Sequence, residues 1–435
     1  MNYEEAIAFL EDRIRWGMRP GTERVAALVD VLGHPQASYP VIHVSGTNGK
    51  FSVATLITAI LSRLGLTVGT YTSPHLESVR ERIAVAETPV DEETFAATLS
   101  YLQPFVERVE AERGDVVTYF ELLTIMAFEA FFDRPVHAAV VEAGLGGEYD
   151  ATNVADATVA VVVGVSLDHV RQFGDDLRTA AWEKAGIAKA EATVVTGVEQ
   201  DDLFAIIEAR AGERGARNVV RLGRDVEMVE RRPALRGQTL TVRGLYGEYQ
   251  DVFLSLFGAH QATNAALAIA ACEAFVGEAV NTPALEEAFA AVRTPGRIDA
   301  VGRHPLVLLD GGHNPDGGRA IAAALADLEE RVPRPLVIVA GMLATKDHAN
   351  FFRHFSGLAF RLYAIPIPHQ EKSLAPAEIV KTAQEIGIPA EAAGSIEDAF
   401  VKIRQLSLNP APRVLIAGSL YLAGEILKGN GTLPA

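Results

Sequence analysis

The feature that most constrains the fold is an alternation of continuous apolar runs with helix-length segments. The runs are rich in Val and Ile and span residues 41–44, 67–71, 136–142 and 159–165. Amphipathic segments such as 53–63 and 118–132 lie between them. Runs this continuous do not suit strands with one solvated face, so they predict a mostly parallel sheet with helices on both faces. The pattern indicates an α/β fold.

The alternation is interrupted once and then resumes. Between residues 194 and 257, polar helical material precedes short alternating segments such as 239–242, which predict antiparallel strands in a small β insertion. Thr294-Pro295-Gly296 is the clearest break before a second βα series that ends in a helix from Leu420. We therefore expect a P-loop-type domain with the insertion at residues 1–297, and a C-terminal Rossmann-like α/β domain at 298–435.

Composition excludes several functional classes. With 39 Lys and Arg against 56 Asp and Glu, the net charge is −17, which argues against a nucleic-acid partner. The single cysteine, Cys272, leaves no disulfide or cysteine-based metal cluster to form within the chain. The start lacks the pattern of a signal peptide, and the most apolar window, 157–167, is shorter than the ~18 residues of a membrane span. We expect a cytoplasmic protein with no membrane partner.

The most informative segment joins the first apolar run to a helix. It reads Gly46-Thr47-Asn48-Gly49-Lys50-Phe51-Ser52. Free backbone N–H groups at a helix start can surround phosphate oxygens, while Lys50 adds positive charge and Ser52 can meet magnesium. The spacing differs from the commonest phosphate loop, because Gly46 and Gly49 are only two residues apart and Phe51 follows the lysine. A phosphate-binding role is favoured over a plain strand-turn-helix because glycines, lysine and hydroxyl occur together.

This loop resembles the ATP loop of the Mur ligase superfamily, and further strings resemble the folylpolyglutamate synthase and dihydrofolate synthase family. They recur in order along nearly the whole chain. These strings are Gly17 to Arg24, Thr72 to Leu76 with Glu81 to Ile83, Phe120 to Thr124, Glu142 to Gly147 with Asp150 to Asn153, Asp168-His169, Glu183 to Ile187, His260 to Ala266, Pro295 to Arg297 and Asp310 to Pro315.

Two positions depart from the family pattern. Members often carry Gly where this chain has Phe51, and often Arg where it has Glu148. Phe51 leaves the loop usable if its ring points away from the phosphates, and obstructs it if the ring points inward. Glu148 replaces a positive charge with a negative one, which puts in doubt any anion contact carried over from the family to that position.

Three candidate metal ligands follow predicted parallel strands. Ser73, Glu142 and His169 each lie just beyond the carboxyl end of such a strand, and these ends converge on the ligand crevice of an α/β sheet. A hydroxyl, a carboxylate and an imidazole can hold magnesium together with phosphate oxygens, although His is an unusual ligand for it. The resemblance further implies that Lys184 is carbamylated by carbon dioxide and helps to hold a second magnesium, a reaction that burial favours by keeping the amine neutral.

The resemblance also assigns the nucleotide and substrate contacts. It implies that Asn264 contacts the adenine, Asp310 the ribose or nucleotide, and Arg297 and His313 the phosphates. Since these groups lie on both sides of the predicted boundary, nucleotide binding is expected to be completed on domain closure. On the folate side, the resemblance implies a set of substrate-binding residues. They are Ser73, Pro74, His75, Arg82, Phe120 and Asp150.

The expected activity is ATP-dependent addition of L-glutamate to a folate or dihydropteroate carboxylate through an acyl phosphate. Lys50, Lys184 and His313 are the expected catalytic residues, with ATP and two magnesium ions as cofactors and a monomer as the assembly. One alternative is a Mur-type ligase for a cell-wall precursor, but the ATP loop begins too early to leave room for its extra N-terminal domain. The other is a non-catalytic nucleotide-binding regulator, suggested only by Phe51 and Glu148.

Overall fold

The computed structural model of the chain describes residues 1–17, 19–168, 174 and 176–429. Helices alternate with strands along most of it. The described α-helices, numbered α1 to α14 in chain order, are Tyr3–Glu11, Glu23–Leu32, Lys50–Arg63, Glu92–Arg113, Tyr119–Asp133, Leu177–Ala185, Asp201–Glu213, Ala259–Val276, Thr282–Ala291, Pro315–Arg331, His348–Arg353, Pro376–Glu385, Ile396–Gln405 and Leu420–Lys428.

The larger sheet has the order β4-β3-β2-β5-β1-β6-β7-β8. Its strands β1 to β8 are Val41–Ser45, Val68–Tyr71, Ile83–Val85, Thr88–Pro89, Ala138–Glu142, Ala157–Val162, Thr193–Thr196 and Asn218–Arg221. The central strand β1 pairs in parallel with β5 and β6, and every residue of β1 and β5 is buried. Burial on both faces explains why these segments are continuous apolar runs, and the predicted mostly parallel α/β fold is confirmed.

The β insertion is smaller than the sequence indicates. Strands β7 and β8 pair in parallel at the edge of the larger sheet, so Val194 belongs to that sheet and not to an insertion. Each of these strands is four residues long, and the polar helix α7 lies between them. Because the strands are so short, the sequence shows no clear alternation of strand and helix here. The separate three-stranded sheet, in the order β11-β10-β9, contains only Glu227–Ala234, Gly237–Arg243 and Glu248–Leu254 as β9, β10 and β11.

A six-stranded sheet forms the C-terminal part in the order β12-β13-β17-β14-β15-β16. Its strands β12 to β17 are Asp299–Arg303, Leu306–Leu309, Leu336–Ala340, Ala359–Ala364, Ala390–Ala392 and Arg413–Ala417. Only the edge strand β12 is antiparallel to its neighbour, whereas β13, β17, β14, β15 and β16 pair in parallel. This arrangement confirms the second, Rossmann-like α/β series.

The chain separates into two compact units. Unit 1 comprises residues 1–232, 239–255 and 261–292, and unit 2 comprises residues 233–238, 256–260 and 293–435. In unit 1, α1, α2, α4 and α5 pack against the larger sheet in one buried core, while α6 and α7 pack against β6 and β7 in a second buried core. Unit 2 has its own core around its parallel strands. The domain assignment 1–297 and 298–435 stays a prediction.

Cys272 lies in α8 and is fully buried. Its Sγ lies 3.9 Å from the carbonyl oxygen of Ile57 in α3. Burial, with a smaller effect of the neighbouring Glu273, raises the pKa of its thiol well above the usual value. Within the part of the chain that the structure describes, no helix combines the length and the apolarity that crossing a membrane requires.

The packing of β2 against α5 generates a stability prediction. A Cβ added at Gly69 would lie 2.6 Å from Cδ1 of Phe131, a ring that is fully buried. Gly69→Ala should lower the free energy of unfolding by about 1–3 kcal/mol because a packed core cannot absorb the extra methyl group. Urea unfolding followed by circular dichroism measures the change.

Gly212→Ala is the matched control. Gly212 lies in α7, and an added Cβ there meets nothing within 4 Å. Because Ala is favoured over Gly in helices by up to about 1 kcal/mol, this variant should be as stable as the parent or slightly more stable. Equal stability of Gly69→Ala and the parent would contradict the packing argument.

Candidate active site

The phosphate-loop segment forms a strand-loop-helix in unit 1. Strand β1 ends at Ser45 and α3 begins at Lys50. Gly46 and Gly49 have φ values of 151° and 85°, which L side chains adopt rarely. A Cβ at Gly49 would also lie 2.8 Å from Oδ1 of Asn264 and 3.0 Å from Cγ1 of Val163. The loop therefore needs both glycines, for backbone conformation and for close approach to its neighbours.

Thr47 joins this loop to the segment that follows β6. Its backbone N–H donates to the carbonyl of Gly164 at 2.9 Å. Its Oγ1 donates to the carbonyl of Ser166 at 2.9 Å and accepts from the N–H of Ser166 at 3.0 Å. Asn48 is partly buried in the loop. Thr47 thus ties its loop to Gly164 through its backbone and to Ser166 through its side chain, a role that sequence spacing did not reveal.

The Lys50 ammonium group lies over the same loop. Its Nζ donates to the carbonyls of Gly46 at 3.1 Å and Thr47 at 3.4 Å. A half-buried cation at the first residue of a helix adds to the positive end of the helix dipole. This combination can attract and hold a phosphate anion.

A chain of amides links Ser52 to Asn264. Nε2 of Gln261 donates to Oγ of Ser52 at 3.2 Å, and Nδ2 of Asn264 donates to Oε1 of Gln261 at 3.0 Å. All three side chains are buried. The structure therefore brings the predicted adenine residue next to the phosphate loop. Gln261, which had no role in the sequence-based prediction although it lies in the His260 to Ala266 string, sets the orientation of the Asn264 amide.

Two of the three predicted magnesium ligands come together at the carboxyl ends of β2 and β5. Oε2 of Glu142 accepts a hydrogen bond from the N–H of Ser73 at 2.9 Å. Glu142 is buried, with 2% of its surface exposed, and lies opposite Val44 in the register of β5 with β1. The third predicted ligand, His169, lies outside the described residues.

Lys184 is buried in the last turn of α6. Only 7% of its surface is exposed. Burial and the positive charge of Lys50 lower the pKa of its amine to about 7, although Asp168, Glu183 and Asp150 act in the opposite direction. This environment therefore favours the neutral amine more than that of an exposed lysine does. Carbamate formation needs the neutral amine, so the environment of Lys184 suits the predicted modification.

Asp150, a predicted substrate residue, is buried and accepts hydrogen bonds at both of its carboxylate oxygens. Its Oδ1 accepts from the N–H and Oγ1 of Thr152 at 3.0 and 2.5 Å, and its Oδ2 accepts from the N–H of Leu145 at 2.8 Å. Burial raises the pKa of its carboxyl, while these hydrogen bonds and the charge of Lys50 oppose the shift. Thr152 also meets Nε2 of His43 on β1 at 2.8 Å. These contacts hold the loop after β5 on the sheet.

The remaining predicted substrate residues form a cluster near the ends of β2 and β3. Nε of Arg82 donates to Nδ1 of His75 at 3.0 Å, and the Arg82 guanidinium lies 5.5 Å from the ring centre of Tyr119. Phe120 covers Gly144, where an added Cβ would lie 2.5 Å from the ring. Pro74 is exposed and follows Ser73 through a cis peptide bond. An aromatic ring beside a buried arginine suits a flat, anionic substrate.

In unit 2, Asp310 and His313 follow β13 as predicted. The buried carboxylate of Asp310 accepts from the N–H groups of Ile298 at 2.9 Å and Gly312 at 2.6 Å, and burial raises its pKa despite the nearby Arg297. Nδ1 of His313 lies 2.9 Å from the carbonyl of Gly311, and Nη1 of Arg297 donates to the carbonyl of Gly296 at 3.0 Å. Asp310 therefore ties the Arg297 segment to the loop that carries His313.

Comparison with known families supports this chemistry. Residues 44–272 match the Mur ligase middle domain, and residues 296–420 match the Mur ligase glutamate ligase domain. The first match spans the phosphate loop, Glu142 and Lys184, and the second spans Arg297, Asp310 and His313.

Individual relatives are similar over most of the chain. A dihydrofolate synthase/folylpolyglutamate synthase of Mycobacterium tuberculosis is 40% identical over 345 residues, which cover 75% of this chain and 70% of the relative. The solved Mycobacterium tuberculosis folylpolyglutamate synthase complexed with ADP has a TM-score of 0.92 and 34% identity, over 100% of this chain and 99% of that one. A folylpolyglutamate synthase–AMPPCP–folate complex has a TM-score of 0.85 and 30% identity, with both chains fully covered.

The fold and the phosphate loop define an ATP-dependent ligase of the Mur type. Within that class, the chain belongs to the folylpolyglutamate synthase and dihydrofolate synthase family.

Phe51 provides a test of the phosphate loop. It is half-buried at the second residue of α3, and its carbonyl accepts from Oγ1 of Thr55 at 2.8 Å. If the ring packs outward, Phe51→Gly should retain ATP affinity within about tenfold, which corresponds to about 1.4 kcal/mol. Titration calorimetry with ATP measures this affinity. A large gain in affinity would show that the parent loop is obstructed by the ring.

Proposed function

We propose that this ligase adds L-glutamate to the carboxylate of a folate or dihydropteroate substrate, as a folylpolyglutamate synthase that also has dihydrofolate synthase activity. The observation that carries the proposal is that the loop with Lys50 lies near the buried Lys184. The positive charge of Lys50 acts on the Lys184 amine. Support comes from relatives named for both activities and from a similar protein solved with AMPPCP and folate.

The chemistry follows from the difficulty of joining a carboxylate to an amine in water. Transfer of the γ-phosphoryl group of ATP to the substrate carboxylate forms an acyl phosphate and releases ADP. The deprotonated amine of L-glutamate then attacks the acyl carbon, the carbon–oxygen bond to phosphate breaks, and an amide and phosphate result. No protein nucleophile is needed, so the residues act by neutralising charge and by orienting the reactants.

Each unit contributes groups of the expected kind. In unit 1, Lys50 binds the phosphates of ATP. The backbone of the surrounding loop also contributes to this binding, through Gly46, Thr47, Asn48, Gly49, Phe51 and Ser52. Asn264 contacts the adenine, with its amide held by Gln261. In unit 2, Arg297 and His313 contact phosphate oxygens, and Asp310 orients them by tying their two segments together.

Magnesium fits the donor set at the ends of β2 and β5. The Glu142 carboxylate and the Ser73 hydroxyl are oxygen donors, which magnesium prefers, and the Glu142 carboxylate is already oriented by the N–H of Ser73. His169 is proposed as the third ligand, and carbamylated Lys184 as the ligand of a second ion. When bound, the ions supply positive charge to the phosphate oxygens.

The folate substrate is proposed to lie beside Ser73, Pro74, His75, Arg82 and Phe120. The cation of Arg82, held by His75, would face its glutamyl carboxylates, and the ring of Phe120 would contact its aromatic part. Asp150 is also proposed to belong to this substrate site, where its oxygens hold the loop after β5. The protein is further proposed to work as a monomer in the cytoplasm.

A phosphate-release assay tests the activity. Purified protein, ATP, magnesium and L-glutamate are incubated with dihydropteroate, with tetrahydrofolate, or with no acceptor. Release with both acceptors indicates both activities, release with tetrahydrofolate alone indicates folylpolyglutamate synthase, and release independent of acceptor contradicts the proposal. Mass spectrometry of the pterin product confirms the addition of one glutamyl residue.

Lys50→Ala should abolish ligation while leaving the protein folded. Among the residues that the structure describes, the ammonium group donates to two loop carbonyls, so its loss should change the free energy of unfolding by less than about 1 kcal/mol. Its loss from the phosphates should lower kcat/KM strongly. Phosphate release and urea unfolding are measured on the same sample. Near-normal turnover would rule out the loop assignment.

Lys184 should act as a carbamate and not as an ammonium ion. Lys184→Ala should lose activity and regain part of it when a short carboxylic acid occupies the vacated position, because a carboxylate attracts magnesium and an ammonium ion repels it. Lys184→Arg, which cannot be carbamylated, should stay inactive in the phosphate-release assay.

Lys189→Arg is the control for this experiment. Lys189 is a half-buried lysine whose Nζ donates to the carbonyl of Asn153 at 2.7 Å, a bond that arginine can also make. This variant should remain active. An active Lys184→Arg variant would show that residue 184 works as a simple cation.

A further inference from the structure

Glu148, the residue at which the chain reverses the charge common in its family, does not face an open pocket. Its Oε2 accepts from Nη2 of Arg210 at 2.9 Å, and both of its carboxylate oxygens accept from Nη2 of Arg214 at 3.1 and 3.0 Å. Only 15% of its side chain is exposed, with 13% for Arg210 and 31% for Arg214. The negative charge is therefore neutralised within the protein by two cations, Arg210 in α7 and Arg214 at the residue that follows α7.

The backbone beside Glu148 contacts the end of α6 directly. Its N–H donates to the carbonyl of Glu183 at 2.9 Å, and the N–H of Tyr149 donates to the Glu183 carboxylate at 3.3 Å. A Cβ added at Gly147 would lie 2.7 Å from the carbonyl oxygen of Glu183. The loop after β5 and the last turn of α6 are thus in close contact, and Lys184 lies in that turn.

The other side of this turn is held by the same cluster. Nη2 of Arg214 donates to the carbonyl of Gly186 at 3.1 Å, and Nδ2 of Asn153 donates to the same carbonyl at 3.2 Å. A Cβ added at Gly186 would lie 2.2 Å from Oε2 of Glu148. Residues on both flanks of Lys184 are therefore bonded either to Glu148 or to the arginine that Glu148 holds.

We propose that Glu148, Arg210 and Arg214 form a positioning cluster for Lys184, which fixes the turn of α6 on which that side chain is carried. The role of Lys184 in this inference rests on the proposed function, whereas the contacts of the cluster do not depend on it. The charge reversal at position 148 is then matched by its surroundings: an arginine there would face Arg210 and Arg214 and repel both.

The cluster acts on the reaction through Lys184. The Lys184 amine lies among the charges of Lys50, Asp168 and Asp150, so a small displacement of its turn changes its distance from each of them. A misplacement of about 1 Å in a group that orients reactants can cost on the order of a hundredfold in rate. Ground-state binding of ATP is proposed to depend on the loop around Lys50, and none of the hydrogen bonds described above joins the cluster to that loop.

The experiment compares Glu148→Ala with the milder Glu148→Gln. Glu213→Gln is the matched control, because Glu213 pairs with Arg210 at 2.8 Å but has 60% of its side chain exposed and does not bond to the turn. Hydrogen exchange of peptides covering residues 177–188 reports the order of the turn without reference to activity. Steady-state kinetics gives kcat and KM for ATP.

Glu148→Ala should speed exchange in residues 183–186 and lower kcat by roughly ten- to a hundredfold, with KM for ATP changed by less than about threefold. Glu148→Gln should show a smaller effect in the same direction, and it remains informative if Glu148→Ala is too unstable to purify. Glu213→Gln should match the parent in both exchange and kcat. Carbon NMR with isotope-labelled bicarbonate should show a weaker Lys184 carbamate signal in Glu148→Ala.

Unchanged exchange and unchanged kcat in both Glu148 variants would overturn the inference. A rise in KM for the pterin substrate with unchanged exchange would also overturn it, since Glu148 would then be a substrate contact. If the parent protein shows no ligation but Glu148→Ala still loosens residues 183–186, the positioning contact stands and the proposed function fails. The two failures are therefore distinguishable.

Discussion

The structure of unit 1 depends on the hydrogen bonding of β1 between β5 and β6. A strand buried on both faces has no water to satisfy its backbone, so each N–H and carbonyl group must pair with a neighbouring strand. Parallel pairing aligns the carboxyl ends of the strands at one edge. The phosphate loop, the Glu142 carboxylate and the segment after β6 meet there because their strands are in register, with Val44 opposite Glu142.

Around this edge, the protein balances charges that would be costly if buried alone. Lys184 loses much of its tendency to be charged because it is buried near Lys50. The carboxylates of Asp150 and Glu148 are each held by several donors, so neither is a free negative charge in the same region. Both carboxylates belong to the loop after β5. Asp150 accepts hydrogen bonds from other residues of that loop and its end, whereas Glu148 connects the loop to α7 through Arg210.

The sequence predicted the parts of this design that depend on local pattern. Continuous apolar runs located the central strands, and the glycines, lysine and hydroxyl of residues 46–52 located the strand-loop-helix. The same reasoning did not identify the short strands β7 and β8. They contain too few apolar residues to be distinguished from the polar helix between them.

Contacts between distant side chains were also beyond reach from the sequence. Gln261 orients Asn264 across one turn of helix and reaches Ser52, more than two hundred residues away in the chain. Glu148 was recognised only as a departure from the family pattern, because its two arginine partners lie in and just after a helix more than sixty residues later. Pattern reveals which residues belong to an element, whereas the choice of partner is set by how the elements pack.

The burial of Cys272 has a practical consequence for spectroscopy. Since this is the only cysteine in the chain, and its thiol is enclosed in α8 and hard to deprotonate, maleimide reagents should leave it unmodified in the folded protein. Two cysteines introduced at exposed positions, one in each unit, could then carry a fluorescent donor and acceptor without prior removal of a native thiol. Single-molecule energy transfer would then report the distance between the two labels with and without ATP.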